Sequence, residues 1–119
     1  MKKSILIFDD DLEILSVCKI ILEKKSYKIE TRTHCDNIIK DIRTVKPNLV
    51  LMDLWMPEMG GENATKLMKR SNRTQNIPVI IFSANREIEE IYNRLSANGF
   101  LIKPFEIKAL INIVEENIL

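Results

Sequence analysis

Leu49-Val50-Leu51-Met52-Asp53 is four apolar residues in a row ending in a carboxylate, followed by a loop that carries Pro57, Gly60 and Gly61. A wholly apolar run this short, closed by turn residues, reads as a strand covered on both faces. Such a strand needs helices above and below it, and the flanking sequence supplies them. Toward the N-terminus, Ile5 to Phe8 forms a second apolar run. It is followed by Ile14, Leu15, Cys18, Ile21 and Leu22 at helical spacing, which predicts a helix over about 11–25 capped by Asp10 or Asp11. Tyr27, Ile29 and Thr31 alternate with Lys28, Glu30 and Arg32, the pattern of a half-exposed strand, and Ile38, Ile39 and Ile42 mark the next helix. Toward the C-terminus, Ala64, Leu67 and Met68 predict a helix, Ile77 to Phe82 a strand, and Ile88, Ile91, Tyr92 and Leu95 a helix. Phe100 to Ile102 then predicts a strand, and Ile107, Leu110, Ile111, Val114 and Ile118 a last helix. The count is five βα units in residues 1–119, read as one domain.

Composition agrees with that reading and removes other classes. Of 119 residues, 45% are hydrophobic and 29% charged, with three glycines and four prolines, which suits a globular core and neither a disordered nor a repeat chain. Eighteen Lys and Arg stand against seventeen Asp and Glu, so the net charge of +1 gives no global footprint for nucleic acid or an anionic membrane. The basic cluster Lys66, Lys69, Arg70 and Arg73 reads as cations placed at a helix C-terminus. Apolar runs of about four residues fall far short of the roughly 18 needed to span a bilayer. Lys2 and Lys3 lead into one such run that stops at three aspartates, so no secretory signal is expected and the location is read as cytoplasmic. Cys18 and Cys35 have no metal-ligand spacing and are read as free thiols, and His34 as a solvated loop residue.

Strands separated by helices imply parallel pairing with right-handed crossovers, hence a doubly wound α/β sheet with helices on both faces. In the flavodoxin-like order 2-1-3-4-5 the alternating second strand lies at an edge and the apolar first, third and fourth strands lie inside. The ligand crevice of such a sheet lies beyond the carboxyl ends of its strands, at the switch point between the first and third. Asp9, Asp10 and Asp11 end the first strand, Asp53 the third, Ser83 the fourth, and Lys103 with Pro104 the fifth. Neighbouring carboxylates at ~4 Å repel by about 4 kcal/mol at an effective dielectric of 20, so cations must offset them. Lys103 supplies one, and an oxygen-only cluster without His or Cys suits Mg²⁺. A carboxylate beside a metal and a lysine can attack phosphorus, giving an aspartyl phosphate.

Four ordered segments carry a resemblance: Ile5-Leu6-Ile7-Phe8-Asp9-Asp10-Asp11, Leu49 to Pro57, Pro78 to Ala84, and Gly99 to Phe105. Together they resemble the receiver domains of two-component response regulators over essentially the whole chain. The resemblance implies that Asp53 is the phosphoacceptor, Asp10 a direct Mg²⁺ ligand and Asp9 a helper acting through water. The Trp55 carbonyl would complete the protein's share of the coordination. It also implies that Ser83 turns toward the phosphoryl group, that Lys103 pairs with it through a cis Lys103–Pro104 bond, and that Phe100 is the aromatic switch position. The expected activity is the domain's own phosphorylation and dephosphorylation, not turnover of a separate substrate. Expected partners are a histidine kinase or phosphotransfer protein and a downstream effector docking on the fourth helix, fifth strand and fifth helix, with homodimerisation on phosphorylation. No nucleic acid or membrane is expected to bind this chain.

Gly60 departs from the commoner Asp, Asn or Ser, and Ser96 from the usual Gly, at positions away from the chemistry. Trp55 and Asn85 occupy positions that tune phosphoryl lifetime in the family. Among rival readings, a haloacid-dehalogenase-type phosphatase would carry Asp where Trp55 stands, and a flavodoxin-like cofactor binder would carry a Ser/Thr/Gly phosphate loop where three aspartates stand. The strongest alternative is a degenerate receiver working as a phosphorylation-independent interaction module, which should have lost Asp10, Asp53 or Lys103. The chain stops soon after its last helix, as a stand-alone relay or a piece of a larger regulator or hybrid kinase would.

Overall fold

A computed structural model describes residues 2–56 and 59–119, so Pro57 of the predicted loop lies outside the described residues. The elements alternate as expected: β1 (Ser4–Phe8), α1 (Leu12–Glu23), β2 (Lys28–Arg32), α2 (Ile38–Val45), β3 (Leu49–Asp53), α3 (Gly61–Arg70), β4 (Val79–Ser83), α4 (Ile88–Leu95), β5 (Gly99–Ile102) and α5 (Ile107–Asn117). All pairings are parallel, in the order β2-β1-β3-β4-β5. The alternating strand is therefore at an edge, and β1, β3 and β4 are buried on both faces.

Period-two alternation divides the apolar side chains of the central strands between two cores. Leu6, Phe8, Val50, Met52, Val79 and Ile81 face α2, α3 and α4. Ile5, Ile7, Leu49, Leu51, Ile80 and Phe82 face α1 and α5. Cys18 belongs to the second core and Cys35 to the first, so the two buried thiols lie on opposite sides of the sheet and are free. His34 is exposed. No helix among the described residues is long and apolar enough to cross a membrane.

One open alternative is decided and three local expectations change. Of the two aspartates offered as a cap, Asp11 takes the role, its Oδ1 accepting from the Glu13 N–H at 2.9 Å and the Ile14 N–H at 3.4 Å. β4 begins at Val79 because Ile77 is held in a turn, its N–H donating to the Thr74 carbonyl at 3.1 Å. Leu67 is 38% exposed and does not join the α3 stripe. Thr65 is buried in its place, its hydroxyl donating to the Gly61 carbonyl at 2.8 Å. Ile107 is 59% exposed and Ile118 falls just past the helix, so α5 buries Leu110 and Val114 with Ile113 packed alongside.

Candidate functional site

Register brings the chemistry together. Phe8 pairs with Met52, so the next residue on each strand, Asp9 and Asp53, emerges side by side at the carboxyl rim. Asp9 is fully buried, with Oδ1 accepting from the Asp11 N–H at 3.0 Å and Oδ2 from Lys103 Nζ at 2.8 Å. Asp53 is 3% exposed and accepts from the same Nζ through Oδ1 at 3.0 Å. Asp10 is exposed at the mouth. One carboxylate oxygen from each of Asp9, Asp10 and Asp53 lies within 4.8 Å of the other two.

Lys103 reaches this cluster from just beyond β5. Its backbone N–H donates to the Ser83 carbonyl at 3.0 Å, its peptide to Pro104 is cis, and its Nζ lies 4.7 Å from the centroid of the Phe82 ring. Burial alone would lower the pKa of this ammonium, but its hydrogen bonds to Asp9 and Asp53 prevail and raise it. Burial pushes the Asp53 carboxyl from 3.8 up to about 6. The Lys103 hydrogen bond opposes that rise, and the charges of Asp9 and Asp10 add to it. Two of the three carboxylates thus share one ammonium, which leaves the cluster short of positive charge when all are ionised. Its donors are hard oxygens at mutual distances that one small divalent cation can bridge, without a His or Cys among them.

The remaining expected residues lie on neighbouring strands and loops. Ser83 ends β4 and is buried, with Oγ accepting from the Asn85 N–H at 3.0 Å. Trp55 is 71% exposed in the loop two residues past Asp53. With Leu54, Met56, Glu62 and Asn85 it edges an open cleft of about 310 Å³ beside the acceptor strand. Phe100 is half-buried on β5 and packs on Tyr92 with ring centroids 5.1 Å apart, so it adjoins α4 and not the carboxylates.

Two contributors were not singled out from sequence. Gly61 starts α3 so close to the acceptor that a Cβ there would lie 1.9 Å from the Asp53 carbonyl oxygen, and its N–H donates to the Leu54 carbonyl at 3.2 Å. The sequence marked it only as a turn residue. Phe82 supplies the ring beneath the Lys103 ammonium, and its place one residue before Ser83 at the same rim was the available signal.

A family model described as "Response regulator receiver domain" matches residues 5–115. Among curated proteins, the nisin biosynthesis regulatory protein NisR of Lactococcus lactis is 36% identical over 99% of this chain and 51% of its own length. The CAI-1 autoinducer sensor kinase/phosphatase CqsS of Vibrio cholerae is 29% identical over 95% of this chain and 17% of its own. The chain spans about half the length of the first curated relatives it matches. Among solved structures, a CheY-like response regulator receiver domain protein from Methanospirillum hungatei superposes with a TM-score of 0.86 at 26% identity, covering 98% of this chain and 93% of that one. The chemotaxis protein CheY4 of Vibrio cholerae shares the fold, with a TM-score of 0.88 at 19% identity over 99% of this chain and 100% of that one.

Proposed function

Because the chain belongs to the response regulator receiver domain family of two-component signalling, we propose that it accepts a phosphoryl group on Asp53 and switches a partner-binding face in response. The observation that carries this reading is the single ammonium of Lys103 shared between Asp53 and Asp9 at the buried end of β3. An ionised Asp53 oxygen attacks the phosphorus of a phosphohistidine or small acyl phosphate. The new O–P bond forms as the P–N or P–O bond to the donor breaks, and the departing imidazole or carboxylate keeps the bonding pair. Lys103 neutralises charge on the transferring oxygens, and Ser83 at the neighbouring strand end receives one of them after its hydroxyl turns from Asn85.

Asp9, Asp10, Asp53 and the Trp55 carbonyl would hold Mg²⁺, with Asp9 acting through water. When bound, the ion supplies Lewis-acid neutralisation of the phosphoryl oxygens. The domain comprises residues 1–119, acts in the cytoplasm, and catalyses only its own phosphorylation and dephosphorylation. Its donor is a histidine kinase or phosphotransfer protein. Ser83 precedes α4 and Phe100 lies against Tyr92 of α4, so movement at the site biases the packing of the face formed by α4, β5 and α5. Arg86, Glu89, Tyr92 and Lys108 present that face to an effector or to a second copy.

The alternative, a phosphorylation-independent interaction module, is disfavoured because Asp10, Asp53 and Lys103 are all retained in one cluster. Intact-mass measurement after incubation with Mg²⁺ and acetyl phosphate separates the two readings. The first expects one added phosphate, lost in Asp53→Asn, and the second expects none.

A further inference from the structure

At the rim opposite the carboxylates, a groove of about 420 Å³ has the half-buried Ile77 as its apolar floor, backed by the buried Ile42 and Pro47, and is edged by Arg43, Lys46 and Arg73. Two of the cations come from the end of α2 and the third from the loop between α3 and β4. Lys46 caps α2 in the left-handed conformation at φ 54°, its N–H donating to the Ile42 carbonyl at 2.8 Å, which fixes its backbone beside the groove. None of the three pairs with a carboxylate among the described residues. The acids carried by the flanking helices are engaged elsewhere, Asp41 by Arg32 and Glu62 by Arg94. The imbalance is regional: residues 37–76 hold seven Lys and Arg against four Asp and Glu, and the rest of the chain eleven against thirteen.

We propose that this groove docks an acidic protein segment bearing one or two apolar side chains. Charge complementarity selects the acidic partner, since three unpaired cations converge on one opening in a chain of nearly zero net charge. The apolar floor selects a peptide over a nucleic-acid backbone, because phosphates would leave the exposed part of Ile77 in contact with water while an aliphatic side chain would cover it. Thr74 at the same wall is already satisfied, its hydroxyl donating to the Met68 carbonyl at 2.7 Å, so it asks nothing of the ligand. Pro47 and Ile77 lie just before β3 and β4, whose far ends carry Asp53 and Ser83, about 20 Å away along the strands. Docking here is separate from phosphoryl acceptance.

The test is titration of isotope-labelled protein with a short synthetic peptide of glutamates around two central leucines, followed by amide resonances. The expected result is saturable shifts centred on Arg43, Lys46, Arg73 and Ile77. Affinity should fall about tenfold in Arg43→Glu with Arg73→Glu, whose side chains are exposed and leave the fold intact, and should be unchanged in Asp53→Asn. A peptide of glutamates without leucines should bind more weakly. No saturable binding, equal binding of the leucine-free peptide, or tighter binding of duplex DNA at the same residues would each overturn the proposal.

Discussion

Lys103 Nζ donates to Asp53 Oδ1 at 3.0 Å although fifty residues separate the two in the chain, and the same ammonium holds Asp9 at 2.8 Å. The pairing is largely shielded from water, so removing the cation leaves two buried carboxylates without it. Replacing Lys103 by Met, which keeps the apolar stem over Phe82, is expected to lower metal-free stability by about 3–5 kcal/mol. Urea unfolding in the presence of a chelator measures this, and millimolar Mg²⁺ should recover part of the loss.

The raised Asp53 pKa gives a pH signature whose sign is fixed. Folded Asp53 titrates near 6 and its ordinary value is 3.8, so the folded state binds the proton more tightly. The resulting stabilisation is fully present below about pH 4 and is lost as pH rises through about 6. Without metal, wild-type stability relative to Asp53→Asn should therefore fall across that window, by on the order of 2–3 kcal/mol, and then level off. Paired urea titrations across pH read the difference, and a flat or rising difference would count against the electrostatic description.

Adjacent aspartates should respond to Mg²⁺ in opposite ways. Asp10 lies in the carboxylate cluster and Asp11 caps α1. Asp10→Ala is expected to raise metal-free stability by relieving repulsion and to abolish stabilisation by Mg²⁺. That stabilisation is worth about 1.4 kcal/mol when free ion is roughly tenfold above Kd. Asp11→Ala should instead cost about 1 kcal/mol with or without the ion and keep the Mg²⁺ response. Thermal melts at constant ionic strength make the comparison.

Gly61 tests how tightly the acceptor backbone is held. A methyl group at this position would overlap the Asp53 carbonyl oxygen at 1.9 Å and its carbon at 2.8 Å, so α3 or the end of β3 must move. Gly61→Ala is expected to destabilise the protein by about 1–3 kcal/mol and to slow labelling of Asp53 by acetyl phosphate. Gly60→Ala, where an added Cβ meets only the Leu54 carbonyl oxygen at an ordinary 3.5 Å, should leave both nearly unchanged.

Which parts were legible in the sequence follows from whether one segment or two decide them. The doubly wound sheet and the convergence of Asp9, Asp53, Ser83 and Lys103 at one rim were readable, because each apolar strand ends in its own polar residue and strand order does the rest. Thr65 escaped the apolar pattern because a hydroxyl satisfied by the preceding turn can be buried as readily as a leucine. Ile107, in the first turn of α5, matches the helical spacing yet remains exposed. Three consecutive aspartates offered no local sign of which would cap and which would face the cluster, since that depends on where β1 ends against β3. The closeness of Gly61 to Asp53 and the position of Phe82 under Lys103 are likewise products of packing between segments.

The central claim is that Asp53 is the phosphoacceptor, and intact mass after incubation with Mg²⁺ and acetyl phosphate tests it most directly. Wild type should gain the mass of one phosphate, and peptide mapping should place it on Asp53. Asp53→Asn should gain none, while Asp11→Ala, altered only at the helix cap, should label like wild type. Equal labelling of Asp53→Asn and wild type would contradict the account.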